Sequence, residues 1–274
     1  MNLKKMGLCI VLTFGMPILA NAGAIVSGFN SNTLSANDDD STGQVNLGFT
    51  ANFFGVNSSQ VYVNNNGNVT FDSALSTYTP FNLTSTGRQI IAPFFADVDT
   101  SNAGNPVTYG QGAFGGHNAF GVNWLDVDYY NSSTSHTNRN FFQLLLVDRS
   151  DVGAGDFDII FNYDQIQWEA GMASSGDANG LGGDSARAGF SNGTGNPGTF
   201  FELPGSAVNG AFLDGGPNAL VSNSLNSNVL GRYIFTARNG NVNTTTNNVP
   251  EPSVIALLGV VVASLGFGRI RRKK

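Results

Sequence analysis

The sequence predicts an all-β fold, namely a single-domain antiparallel β-sandwich with long loops rich in asparagine and glycine. Apolar and polar residues alternate over short stretches, which is the period of a half-buried strand. Glycine accounts for 35 of the 274 residues, and asparagine is similarly frequent, so turns are favoured over helices. Between residues 23 and 238 no stretch has a convincing helical period, although a short helix at 218–230 remains open.

The first predicted strands form a hairpin. Residues 60–64 and 68–72 alternate, and they flank Asn65-Asn66-Gly67. Asn-Gly between two alternating runs is a strong hairpin signal, because both residues accept positive φ. A second alternating stretch, residues 157–164, places its aromatic and aliphatic side chains on one face and its polar side chains on the other.

Two continuous apolar runs, residues 90–96 and 141–147, predict central strands buried on both faces. Pro93 argues against a regular strand in the first run, because it has no amide hydrogen to donate to a ladder. Further short strands are expected at residues 120–124, 186–190, 200–203 and 232–236. Strands of this length with intervening turn residues favour a sandwich.

The charge is distributed unevenly along the chain. Residues 23–248 contain six arginines, no lysine and eighteen acidic residues, which is a net charge of −12. A nucleic-acid partner is excluded, since that affinity comes from lysine and arginine on phosphates. An anionic membrane surface is disfavoured for the same reason. The single cysteine, Cys9, precedes this region, so disulfides and thiolate chemistry are not expected in it.

The N-terminal segment, residues 1–22, has the pattern of a secretory signal peptide. Lys4 and Lys5 precede an apolar run, and a small-x-small motif follows it. Cleavage is expected between Ala22 and Gly23. The β domain is then assigned to residues 23–238.

An asparagine- and threonine-rich linker is expected at 239–248, followed by a targeting segment at 249–274. Pro250, Glu251 and Pro252 precede fifteen uncharged residues, 254–268, expected to form a short membrane helix. Fifteen residues span about 22 Å, less than the roughly 30 Å hydrocarbon core. The segment ends on a basic cluster expected to stay cytoplasmic: Arg269, Arg271, Arg272, Lys273 and Lys274.

This order of motif, short span and basic tail resembles a PEP-CTERM sorting signal. The resemblance implies recognition by exosortase, a membrane-embedded cysteine protease or transpeptidase of Gram-negative bacteria that make extracellular polysaccharide. It also implies transient membrane insertion of the C-terminal helix and export through the inner membrane to the cell envelope, surface or extracellular matrix. A permanent anchor is the alternative reading of the same residues.

Blocks within residues 40–206 resemble a nidogen-like (NIDO) domain and occur in that family's order: 47–55, 61–71, 91–99, 157–168 and 188–190. The resemblance implies an extracellular-matrix or cell-surface protein without an established catalytic activity. It favours adhesion, with extracellular polysaccharide or surface proteins as partners. The cysteine-rich modules that surround the domain in animal members are missing here, so no specific partner follows.

Two alternating acidic pairs are candidate metal ligands, and calcium is the only cofactor that the sequence suggests. Asp97 and Asp99 would share one face of a strand, as would Asp126 and Asp128. Carboxylates on neighbouring strands suit Ca²⁺, which prefers oxygen ligands. Alternatively, these side chains accept hydrogen bonds from loop amides at strand ends. Residues 37–43 form a second oxygen-rich stretch, which is either a ligand cluster or a solvated loop.

Two further alternatives remain open. Glu169 or Glu202 paired with an aspartate would suit a hydrolase of matrix polysaccharide. Aromatic side chains would either stack on carbohydrate or pack in the core: Tyr78, Tyr109, Tyr129, Tyr130 and Trp168. No nucleophile motif or metal triad points to an enzyme, so the sequence favours a non-enzymatic exported surface or matrix protein. A calcium-dependent or carbohydrate-binding module is the alternative.

Overall fold

A computed structural model describes residues 23–132 and 136–245. The predicted signal peptide, the Pro250-Glu251-Pro252 motif, the membrane helix and the basic tail all lie outside these residues. The described chain forms two antiparallel sheets packed face to face, which confirms the predicted all-β sandwich. In this part of the protein, no helix has the length and apolar character needed to cross a membrane.

Fourteen strands follow one another along the described chain. They are β1 (Asn32–Thr33), β2 (Ser41–Phe53), β3 (Val56–Asn64), β4 (Asn68–Thr70), β5 (Gln89–Phe95), β6 (Val98–Gly104), β7 (Thr108–Phe114), β8 (His117–Tyr129), β9 (Asn140–Asp148), β10 (Phe157–Gln165), β11 (Arg187–Asn192), β12 (Phe200–Glu202), β13 (Arg232–Arg238) and β14 (Asn241–Asn243). One turn of 3₁₀ helix covers Met172–Ser174.

The first sheet has the order β1-β7-β8-β9-β10-β13-β14, and β6 also pairs with β8. The second sheet has the order β12-β11-β5-β4-β3-β2. Aromatic side chains from both sheets fill the space between them. Trp124 of β8 stacks on Phe142 of β9 with ring centroids 5.2 Å apart, and Phe94 of β5 contacts Phe142 at 5.2 Å. All three side chains are fully buried, so they contribute strongly to the core.

The outer faces of β5 and β9 are covered as well. Phe29 from the N-terminal segment packs on Leu145 and Ile160. Leu75 and Leu83, from the connection between β4 and β5, pack on the outer face of β5. The prediction that residues 90–96 and 141–147 form strands buried on both faces is therefore confirmed.

The hairpin around Asn65-Asn66-Gly67 is also confirmed, and it joins β3 to β4. Pro93 does lie inside β5. The pairing of β5 with β11 shifts register between Ala92 and Phe95, so no regular ladder donor is required at the proline. Its carbonyl accepts a hydrogen bond from the Tyr163 hydroxyl at 2.6 Å.

Two details differ from the sequence expectations. Residues 218–230 form turns instead of a helix, and Leu225 makes an isolated bridge to Tyr233. The β domain also extends into the predicted linker, because β14 pairs with β13 through Val242 and Ala237. Val242 is buried, and this one apolar residue secures a segment that otherwise consists of asparagine, threonine and Gly240.

Candidate functional site

Three aspartates from distant parts of the chain converge at one end of the sandwich. Asp38 and Asp39 lie in the loop before β2, and Asp97 lies between β5 and β6. One carboxylate oxygen from each lies within 4.8 Å of the others. Among the described residues this is the one group of three or more acidic, histidine or cysteine ligands that meets this spacing. We call it the acidic cluster.

Asn65 of the β3–β4 turn holds the backbone around the acidic cluster. Its side-chain Nδ2 donates to the Val98 carbonyl at 2.6 Å and to the Asn37 carbonyl at 3.3 Å, and also to the Asp38 carbonyl. The Asn65 carbonyl in turn accepts from Trp124 Nε1 at 2.9 Å. The loop before β2 is therefore tied to the start of β6 and to the core.

Asn66 holds the cluster from the other side. Its Nδ2 donates to Asp39 Oδ1 at 2.8 Å and to the Thr77 carbonyl at 3.2 Å. Its Oδ1 accepts from the Val98 amide at 2.9 Å. Both asparagines are essentially inaccessible to solvent, so these hydrogen bonds are made in a dry environment.

Two carboxylate oxygens in the acidic cluster are buried without a hydrogen-bond partner. They are Oδ2 of Asp97 and Oδ1 of Asp38. Asp97 as a whole is only 1% exposed. Gly171 lies against it, and a Cβ at that position would overlap Asp97 Oδ2. Buried polar atoms in proteins nearly always have a partner, so this arrangement calls for an explanation.

The acidic cluster raises the pKa of its own members. Burial, followed by the charges of Asp38, Asp39 and Asp99, raises the pKa of Asp97 to about 7, against a small opposing effect of the Ser174 amide. Burial, followed by the charges of Asp39 and Asp99, raises the pKa of Asp38 to about 6. Burial also raises the pKa of Asp39, although the hydrogen bond from Asn66 opposes it. Every charge that contributes to these shifts is negative.

Asp99, the sequence-predicted partner of Asp97, is satisfied by residues of its own strand, β6. Its Oδ1 accepts from the Ser101 amide at 2.7 Å and from the Ser101 hydroxyl at 2.6 Å. Its Oδ2 accepts from Asn102 Nδ2 at 3.1 Å. Asp99 therefore adds negative charge near the acidic cluster, while its oxygens are engaged elsewhere.

Asp126 and Asp128 belong to a separate group of ion pairs. Asp128 Oδ2 lies 2.8 Å from His136 Nδ1 and 2.9 Å from Arg139 Nη1. Asp126 lies 3.5 Å from Arg139 Nε. The four predicted carboxylates are thus divided between two places, because β6 carries Asp99 beside Asp128 while Asp97 turns toward the loop before β2.

The candidate hydrolase residues, Glu169 and Glu202, each have a structural role. The two carboxylate oxygens of Glu169 accept from the amides of Phe212, at 2.7 Å, and Gly210, at 2.5 Å. Burial raises the pKa of Glu169 against these hydrogen bonds. Glu202 pairs with Arg187 at 2.9 Å and accepts from the Leu83 amide at 2.8 Å.

The aromatic residues proposed as a stacking surface are split between core and surface. Trp168 and Tyr129 are buried and pack on each other with ring centroids 5.5 Å apart. Tyr78 and Tyr130 are exposed, and Tyr109 is half-buried. The interior position of Trp168 excludes it from contact with an external ligand.

Sequence reasoning missed the part that Asn65 and Asn66 play, because an Asn-Asn-Gly turn is ordinarily solvent-exposed. The noted oxygen-rich stretch at 37–43 does supply two members of the acidic cluster. One further signal was available: Asp97 directly follows an apolar run predicted to be buried on both faces, which is an unusual position for an unpaired carboxylate.

The nidogen-like domain family matches residues 59–239, and the chain belongs to this family. It is 38% identical over 222 residues to alpha-tectorin of Mus musculus and 37% identical over 223 residues to alpha-tectorin of Homo sapiens. Alpha-tectorin of Gallus gallus is 34% identical over 222 residues. Each match covers 72% of this chain and 10% of the relative. No solved structure matches. This membership is consistent with an extracellular, matrix-type protein.

Proposed function

We propose that the chain is an exported, non-enzymatic protein of the cell surface or extracellular matrix, and that its nidogen-like sandwich is adhesive. Its membership in the nidogen-like family carries this proposal, together with its likeness to alpha-tectorin over 72% of the chain. The structural engagement of Glu169 and Glu202 supports a non-enzymatic role, since neither carboxylate is free for acid–base work.

We further propose that exosortase of a Gram-negative host reads the C-terminal motif and delivers the domain to the surface. Pro250-Glu251-Pro252, the short apolar stretch 254–268 and the basic tail support this part, because they occur in the order of a PEP-CTERM signal. The apolar stretch is marginal as a permanent span, which favours a transient insertion before processing.

The sorting proposal is tested by two changes at the C-terminus. Deletion of residues 249–274 and the double substitution of Pro250 and Pro252 by alanine should both abolish surface delivery. The double substitution is the sharper variant, because it leaves the apolar stretch and basic tail intact and disrupts only the motif. Fractionation with immunodetection measures the outcome. Normal delivery of the double variant would show that the segment acts as a plain anchor.

The adhesive proposal is tested by capture from host extracellular material. The folded full chain, immobilised, should retain polysaccharide or surface proteins, and the same chain denatured by heat should not. Mass spectrometry and sugar analysis of the eluate identify the ligand class. Equal retention by folded and denatured chain would contradict a specific adhesive role of the sandwich.

A further inference from the structure

We propose that Asp38, Asp39 and Asp97 bind one calcium ion that fastens the loop before β2 to the junction of β5 and β6. This site goes beyond the surface or matrix role proposed above and does not depend on it. It also differs from the site that the alternating acidic pairs predict, because it shares only Asp97 with those two pairs.

Two carboxylate oxygens of the acidic cluster are left without a partner. Asp97 Oδ2 and Asp38 Oδ1 are both out of contact with water and have no donor. An ionised carboxylate in such surroundings is costly unless a cation or donors compensate it. The structure supplies donors to the flanking groups: Asn66 serves Asp39, and Asn65 serves the backbone carbonyls. The unpartnered oxygens therefore mark where an additional positive group fits.

Among the described residues, the acidic cluster forms no ion pair with a basic side chain. Asp128, which is similarly buried, has His136 at 2.8 Å and Arg139 at 2.9 Å. Three carboxylates with one oxygen each inside 4.8 Å form a concentrated negative site. A divalent cation is the simplest species that neutralises it.

The chemistry of the ligands indicates which cation fits the acidic cluster. The ligand set consists of carboxylates, without histidine or cysteine, and oxygen-only ligands select a hard cation over zinc or copper. Calcium accepts six to eight oxygens in irregular geometry, with water filling positions that the protein leaves open. Magnesium requires near-octahedral geometry and is a poorer match to ligands from two separate loops.

Calcium should have a specific consequence for the fold. Asp38 and Asp39 precede β2, the long edge strand of the second sheet, whereas Asp97 follows β5 in the middle of it. A shared cation would add a cross-link between these positions to the hydrogen bonds from Asn65 and Asn66. The main competing explanation is a proton held between Asp97 and Asp38, which would also relieve the repulsion without a metal.

The experiment measures thermal unfolding of the metal-free full chain at pH 7.5 with added calcium chloride. Extracellular calcium sites have dissociation constants of about 0.1–1 mM, so about 10 mM calcium should raise the Tm by about 3 to 10 °C. Magnesium chloride at the same concentration should raise the Tm less than calcium chloride does. Sodium chloride at the same ionic strength should not produce the part of the Tm rise that is specific to calcium. Isothermal titration calorimetry should show one site per chain.

Asp97→Asn removes one ligand charge at nearly constant volume and should abolish the calcium shift. Asp148→Asn is the control, since it makes the same change at the last residue of β9, outside the acidic cluster, and should retain the full shift. If Asp97→Asn does not fold, Asp38→Asn, at a partly exposed position, tests instead whether the calcium shift is lost. No calcium shift in the unmodified chain, or an equal shift in the Asp97 and Asp38 variants, would overturn the proposal. In the first case a shared proton explains the cluster.

Discussion

Asp97 and Asp128 are both almost fully buried, with 1% and 2% of their surface exposed, yet their surroundings differ in charge. Asp128 faces a histidine and an arginine. Asp97 faces Asp38, Asp39 and Asp99, and its Oδ2 has no donor. The negative charge of Asp128 is therefore balanced by basic neighbours, whereas that of Asp97 is not.

This difference predicts how the stability of the metal-free protein depends on pH. Burial and neighbouring carboxylates raise the pKa of Asp97 from 3.8 to about 7 and that of Asp38 to about 6. Between about pH 4 and pH 7 the folded state consequently binds more protons than the unfolded state, so the free energy of unfolding should fall as pH rises through this window. Urea unfolding in the presence of a chelator at pH 5 and pH 7.5 measures the change.

The Asp97→Asn variant isolates the contribution of the acidic cluster. Other groups, among them Glu169 and Asp214, also have raised pKa values and add to the same trend. The variant should lose less stability than the unmodified chain between pH 5 and pH 7.5, because the amide does not ionise. Identical pH profiles for the two proteins would show that the cluster is not under electrostatic strain.

At the scale of elements, the β3–β4 hairpin serves as the scaffold of the acidic cluster. Its turn is buried instead of exposed: Phe94 N donates to the Gly67 carbonyl at 3.3 Å, and Trp124 donates to Asn65. Gly67 has φ +71°, and a Cβ there would overlap the Phe94 carbonyl oxygen. The close approach of β5 to this turn therefore requires glycine for two reasons, conformation and space.

Replacement of Gly67 by alanine should accordingly destabilise the protein by about 3 kcal/mol or more, since backbone strain and a steric clash act together. Gly55, in the turn between β2 and β3, is the matched control: it has φ +86°, and a Cβ there would meet nothing within 4 Å. Gly55→Ala should cost only the strain, about 1 kcal/mol. Urea denaturation compares the two. Equal losses would show that the β3–β4 turn can move away from β5.

At the scale of the whole molecule, the net charge of −6 is the sum over segments of opposite charge. The lysines and several arginines lie in the predicted targeting ends, while residues 23–248 carry −12. A domain with this charge is repelled by acidic polysaccharide unless divalent cations lie between them. Matrix capture of an acidic polysaccharide should therefore weaken in chelator, whereas capture of a neutral one should not.

The sequence by itself determined the periodicity of the strands and the position of the Asn-Gly turn. Alternation at 157–164, the apolar runs at 90–96 and 141–147, and the Asn-Gly turn after residue 64 are local patterns that the backbone must satisfy wherever it lies. They predicted a sandwich and the strands buried on both faces, and the structure confirms both. The likeness to nidogen-like domains was visible in the same blocks, and the family match confirms it.

Only the tertiary structure decided which carboxylates meet. Asp97 and Asp99 alternate in sequence, but a turn between β5 and β6 directs Asp97 toward Asp38 and Asp39. Asp128 is distinguished from Asp97 by the positions of His136 and Arg139, which no periodicity reveals. Local patterns report how each segment faces its own sheet, whereas charge compensation depends on side chains brought together from distant segments. For that reason the fold was predictable from the sequence, and the composition of the acidic cluster was not.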